Sequence, residues 1–194
     1  LWGFFKKVII ADGLALFVDR IYADVSVGSG VSFVLATVLF SFQIFCDFSG
    51  YTDIAIGAAK VMGYDLMDNF RAPYLAKSIP EFWRRWHISL SSWFQDYLFT
   101  PLYYVFGKFK SLQKLSPQKK HLLAFSLSTI IGLSLLGLWH GANWTFLFFG
   151  LYHGFFIILY YLVRKKWDKL QGFVRVLFTF VISTFGWIFF RAES

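Results

Sequence analysis

Histidine is the side chain best suited to proton transfer near neutral pH, and two of the four histidines stand in settings that ask for a reason. His140 lies in "LLGLWHGANWTF", within a run of 42 residues, Leu122 to Val163, that holds no Asp, Glu, Lys or Arg. A titratable group at membrane depth is expensive to keep. Two readings stay open: an inert packing histidine bonded to a neighbouring helix, or a general base held in a cavity. Asn143, three residues on, shares the face of His140 if the segment is helical, and its amide would help to bind a polar transition state. Trp139 and Trp144 beside it read as packing or interface residues.

His87 lies in "SIPEFWRRWHISLSSWFQDYLF" on a stripe of Trp83, His87, Leu90, Phe94 and Tyr97, spaced by three and four. Burial of that stripe lowers the imidazole pKa and keeps the ring neutral, as a base or hydrogen-bond partner must be. A satisfied core histidine fits the same pattern. His153, in "GLYHGFF", reads as structural, and His121, beside Lys119 and Lys120, as a solvated loop residue. Asp47 and Asp53 are about 240° apart around a helix, so they form no carboxylate pair on one face. Each is expected to meet a base or hydroxyl elsewhere, with Arg71, Arg84 and Arg85 available. One cysteine and four scattered histidines give no metal-ligand spacing. There is also no nucleophile elbow and no phosphate-binding glycine loop.

The elements that would hold these residues follow from periodicity. Leu1 to Arg20 mixes apolar residues with Lys6, Lys7, Asp12, Asp19 and Arg20, as a membrane-surface helix or the end of a span would. "DVSVGSG", Asp24 to Gly30, reads as a turn. A span is expected from about Val31 to Phe48, continuing to about Gly63 with tilt or a break at Gly50. Pro73 argues for an irregular segment after Tyr64. Ser78, with Glu81 three residues later and Pro80 in the first turn, has capping-box spacing and predicts a helix start. That helix reads as interfacial or re-entrant.

Two basic segments, Gly107 to His121 and Arg164 to Arg175, flank the 42-residue run. The positive-inside tendency puts both on the cytoplasmic side. At about 1.5 Å per residue, with about 20 residues needed per crossing, the run is long enough to leave and return as a two-span hairpin. Gly141, Ala142 and Asn143 fall near its middle. Val176 to Phe190 reads as a further span between snorkelling arginines.

Composition sets the class. The chain is 57% hydrophobic and only 15% charged, with 26 Phe and 8 Trp, against about 25% charged residues in soluble domains. The fold class expected is an all-α, multi-pass integral membrane protein. The net charge of +8 sits in clusters flanked by Phe, Leu and Trp, which fits cytoplasmic loops and excludes a nucleic-acid partner in this reading. The chain opens on "LWGFFKK" and stops at "FFRAES", so it is expected to be an internal piece of a longer protein, with residues 1–194 forming a single membrane-embedded domain.

Taken together, "FQIFCDFSGYTDIAIG", "NFRAPYLAKSIPEFWRRWHISLSSWFQDYLF" and "LLGLWHGANWTFLFFGLYHG" closely resemble the membrane-bound O-acyltransferase family, and within it the bacterial alginate O-acetyltransferase membrane-subunit branch. The resemblance runs from "FFKKVIIAD" to "GWIFFRAES". It implies a ring of membrane helices around a tunnel, where an acyl donor from one side meets an acceptor hydroxyl from the other. It also implies that His140 is the catalytic residue and that His87 belongs to the site; beside these, the residues themselves offer Asn143 and Trp139 as candidate substrate contacts, and no metal is expected. The donor implied is acetyl-CoA or another acyl thioester, with no tightly bound cofactor. The acceptor implied is a cell-surface or exported polysaccharide, the partners periplasmic acetyltransferase proteins and membrane lipid, and the location the bacterial cytoplasmic (inner) membrane.

Three alternatives stay open. A proton-coupled transporter also places His and Asp within membrane helices. A D-alanyl transferase of teichoic acid, in the same family, takes its acyl group from a carrier-protein thioester. A non-catalytic membrane scaffold for a periplasmic acetyltransferase needs no base at His140.

Overall fold

The structure, a computed structural model, describes residues 1–23 and 28–192. The described residues form helices and no strand, in two compact units, Leu1–Arg71 and Ala72–Ser194. Four helices are long and apolar enough to cross a membrane: Gly30–Val61, Pro117–His140, Trp144–Trp167 and Gly172–Arg191. Most of the turn expected at Asp24 to Gly30 lies outside the described residues; Ser29, at its end, caps the helix that follows, its Oγ accepting from Ser32 N.

In the first unit, α1 (residues 2–23) runs without a break through a π-helical stretch, Phe5–Ala11, and packs along α2 (Gly30–Val61). No break occurs at Gly50. A Cβ there would lie 2.8 Å from the carbonyl oxygen of Gly3, so this glycine lets α1 approach α2 rather than bending it. Each of the two aspartates meets a base, as expected, but the bases are lysines of α1 and not the arginines that were available. Lys6 pairs with Asp53 at 2.9 Å and donates to Ser49 Oγ at 3.0 Å, while Lys7 pairs with Asp47 and Asp12. Neighbouring residues on a helix point about 100° apart, so adjacent lysines on α1 splay toward two carboxylates that α2 itself holds apart. Gly63, at φ +83°, ends α2.

In the second unit a short 3₁₀ turn, Pro73–Leu75, precedes α3 (Ile79–Arg85). Ser78 Oγ accepts from Glu81 N at 3.3 Å, as the capping spacing predicted. The Glu81 carboxylate turns instead to Lys77 N and to Arg85, at 2.8 and 2.6 Å. The continuous stripe predicted through His87 is not observed, because α3 stops at Arg85 and His87 adopts φ +45°, ψ +58°. A new helix, α4 (residues 88–107), starts at Ile88 and contains a π-helical turn, Gln95–Phe99. α5 (Lys110–Gln113) follows.

The 42-residue run forms the hairpin expected of it. α6 (Pro117–His140) and α7 (Trp144–Trp167) are joined by Gly141, Ala142 and Asn143. Their backbones touch at two glycines: a Cβ on Gly137 would lie 2.1 Å from Phe146 O, and one on Gly150 2.1 Å from Leu133 O. His121 is exposed but belongs to the beginning of α6 rather than to a loop, with Tyr103 Oη 2.7 Å from its Nδ1. α8 (Gly172–Arg191) packs on α7 and α3 and buries Trp187, whose Nε1 donates to Tyr74 Oη at 3.2 Å.

Candidate active site

His140 is the last residue of α6, so hairpin closure sets its position. The turn is tight, with Asn143 N donating to Gly141 O at 2.8 Å. Asn143 is not helical with His140, so the shared face read from spacing does not exist. It is the N-cap of α7, and its Oδ1 accepts from Thr145 N at 3.4 Å. The choice is physical: an Asx side chain satisfies an orphan N–H at a helix start better than it serves within a helix.

The His140 ring is half-buried among aromatic rings. Ring centroids of Trp139 and Phe190 stand 4.9 Å away, with Phe146 at 6.2 and Phe149 at 6.4 Å. Phe190 comes from α8, so the pocket is built by three helices. Among the described residues no group hydrogen-bonds the His140 ring. Trp139 is 65% exposed and Trp144 is 72% exposed.

His87 reaches this region by its backbone. A left-handed conformation costs a non-glycine residue roughly 1–2 kcal/mol and places the imidazole at the break between α3 and α4. Burial, and after it the charge of His140, push the His87 imidazole down to about 4. The two histidines are therefore electrostatic neighbours, and His87 is neutral at physiological pH.

His153 lies behind them, 1% exposed, in a box of Phe82, Trp83, Phe149 and Tyr152 with centroids 4.7–6.5 Å away. Neither of its ring nitrogens, nor Nε1 of Trp83, has a hydrogen-bond partner among the described residues. Its Nε2 faces Gly186, where a Cβ would lie 2.5 Å away. Phe149 thus touches both His140 and His153. The sequence reading missed Phe146, Phe149 and Phe190. Phe146, Phe149 and His153 recur at helical spacing on one face of α7, which is a signal for the first two. Phe190 carries no such signal, because only tertiary packing brings α8 to the pocket.

His121 is in the same unit but joins neither the His140 pocket nor the His153 box. Asp47 and Asp53 belong to the first unit and are engaged by lysines. Among the described residues no three His, Cys, Asp or Glu side chains are grouped to hold a metal ion. The region of the hairpin turn holds a half-buried imidazole walled by aromatic rings, a second, neutral imidazole within electrostatic reach of it, and an amide at the start of α7. Those are parts for taking a proton from a hydroxyl and stabilising a developing oxyanion.

Known proteins resemble the chain over nearly its whole length. The sequence pattern of the membrane-bound O-acyltransferase family matches residues 3–193. The chain is 40% identical over 194 residues to a probable alginate O-acetylase AlgI of Azotobacter vinelandii, covering 99% of this chain and 36% of the relative. It is 37% identical over 196 residues to a peptidoglycan O-acetyltransferase of Helicobacter pylori, covering 99% and 35%. It is 31% identical over 162 residues to a teichoic acid D-alanyltransferase of Bacillus subtilis, covering 79% and 40%. The chain thus spans little more than a third of the length of these relatives. It belongs to the membrane-bound O-acyltransferase family.

Proposed function

We propose that this chain carries the transfer centre of an O-acetyltransferase that moves an acetyl group from a thioester to hydroxyls of a cell-surface or exported polysaccharide. The observation that carries the reading is that two imidazoles from segments far apart in sequence, His87 and His140, come within electrostatic reach of each other beside the α6–α7 turn. The similarity to a probable alginate O-acetylase and to a peptidoglycan O-acetyltransferase supports acetyl as the group and a glycan as the acceptor. In this reading residues 1–194 act as one membrane-embedded domain of a longer chain in the bacterial inner membrane, and periplasmic acetyltransferase proteins complete the modification.

Neutral His140 takes the proton of the acceptor hydroxyl as its oxygen attacks the thioester carbonyl carbon. The carbonyl π electrons move to oxygen, and the resulting oxyanion is met by N–H groups of Asn143 and His87. The Asn143 amide nitrogen is suited to this because its Oδ1 already caps α7. Collapse of the intermediate breaks the carbon–sulfur bond, and the departing thiolate takes the proton back from His140. Trp139, exposed beside His140, supplies a face for the acceptor sugar.

The test uses the full-length protein in membranes with labelled acetyl thioester and glycan acceptor. His140→Ala lowers transfer by about 10²-fold or more at normal protein yield. Wild-type transfer by that variant overturns the role of His140, and transfer only from a D-alanyl thioester, supplied in a parallel assay, overturns acetyl as the group moved.

A further inference from the structure

A cavity of about 1090 Å³ opens in the second unit, apart from the two site histidines. One end carries cations: Arg164 and Lys165 lie in the last turn of α7, near where the His121 ring of α6 meets Tyr161 at 5.6 Å, and Arg84 of α3 also lines the cavity. Asp168 also lines this end, but it is bound to Arg175 at 3.0 Å. Among the described residues no carboxylate pairs with Arg84, Arg164 or Lys165. The rest of the wall is mostly hydrocarbon and aromatic: Phe94, Phe99, Phe125, Leu133, Leu136 and Ile157. From His121 to Leu136 the α6 side of the cavity runs about 22 Å at 1.5 Å per residue. That exceeds half of the roughly 30 Å hydrocarbon core of a bilayer.

A site charged at one end and greasy along the other matches an amphiphile. We propose that this cavity seats an anionic phospholipid, its phosphate among Arg84, Arg164 and Lys165 and one acyl chain along the wall toward Leu136. The charge pattern sets the leaflet. Arg164, Lys165, Lys166 and Lys169 form the kind of basic end that faces the cytoplasm, where anionic lipids give the membrane a negative surface. A soluble phosphate-bearing thioester satisfies the cationic end, but an acetyl group leaves the apolar wall without a partner. A neutral lipid covers the wall and leaves the cations uncompensated. The inference goes beyond the transfer reaction and does not depend on it.

The experiment uses the full-length protein, delipidated in neutral detergent, with lipid binding read by native mass spectrometry. Phosphatidylglycerol binds wild type more tightly than phosphatidylcholine does. Arg164→Gln/Lys165→Gln, at two exposed positions, weakens phosphatidylglycerol about thirtyfold and leaves phosphatidylcholine unchanged. Ile157→Trp, which fills the tail channel, weakens both lipids. Equal binding of the two lipids to wild type overturns the proposal, as does wild-type affinity in the double variant. Displacement of the lipid by equimolar coenzyme A makes a soluble phosphate compound the occupant. Absence of any bound lipid means that another segment of the chain covers the cavity, and either result overturns the proposal.

Discussion

His87 and His140 stand close enough that charge on His140 lowers the proton affinity of His87, although a basic loop and most of α6 separate them in the sequence. The relationship has a thermodynamic consequence. The ordinary histidine value is 6.5 and the folded value of His87 is about 4. Between these limits the unfolded chain binds a proton that the folded chain refuses, so stability falls as pH falls through the window and is unaffected above it. Thermal unfolding of wild type is expected to drop more steeply from pH 6.5 to 4.5 than that of His87→Gln. Parallel curves refute the assignment.

The backbone of His87 gives a second, separable prediction. At φ +45° a glycine is relaxed and an alanine is not. His87→Gly should therefore be about 1 kcal/mol more stable than His87→Ala, while both lose the imidazole. Equal transfer rates in the two, below wild type, attribute the loss to the side chain. A glycine variant that transfers normally shows that the position is only a chain reversal.

Much of this architecture is legible in the sequence, for reasons that differ by element. The hairpin is readable because charge is absent over Leu122 to Val163 and present on both sides, and hydrocarbon burial is a local property. The start of α3 is readable because Ser78 and Glu81 meet through one turn of backbone. The break at His87 is not. The spacing of Trp83, His87 and Leu90 suits an unbroken helix, and the contacts that flank the break, Phe82 and Trp86 against Trp187 of α8, are tertiary and leave no local signal. The lysine partners of Asp47 and Asp53 escaped for a similar reason: nothing local says that α1 lies along α2.

Those lysine pairs can be tested directly. Lys6 is almost buried, while the Asp53 side chain keeps 37% exposure. Lys6→Met is expected to destabilise the protein by about 1–3 kcal/mol, below the 3–5 kcal/mol of a fully enclosed pair because Asp53 retains outside contact. Adding Asp53→Asn should recover most of the loss, since it removes the stranded charge. Additive losses in the cycle mean that the pair is not coupled.

The hairpin contact is stricter. A side chain at Gly150 meets the Leu133 carbonyl at 2.1 Å, and backbone cannot move aside as a flexible side chain can. Gly150→Val should cost at least the roughly 1–3 kcal/mol of ordinary overpacking and lower the folded yield. Gly57→Ala is the control. Nothing lies within 4 Å of a Cβ there, inside α2 near its C-terminal end, so it should stabilise the helix by about 0.5–1 kcal/mol. Similar yields from the two variants would show that α6 and α7 do not meet at these glycines.

Behind the site, Gly186 and His153 make the most informative pair. An added methyl at Gly186 lies 2.5 Å from His153 Nε2, so the ring must turn within a box of four aromatic side chains. One of those, Phe149, also touches His140 and Phe190, so the disturbance reaches the pocket through contact. Gly186→Ala is expected to lower both thermal stability and transfer. His153→Ala opens a cavity and costs about 2–4 kcal/mol by itself. The double variant should then be more stable than the sum of the single losses predicts, because the new methyl enters space that the ring has left. A coupling of zero, from thermal unfolding of all four proteins, would mean that α8 does not hold His153 against the site.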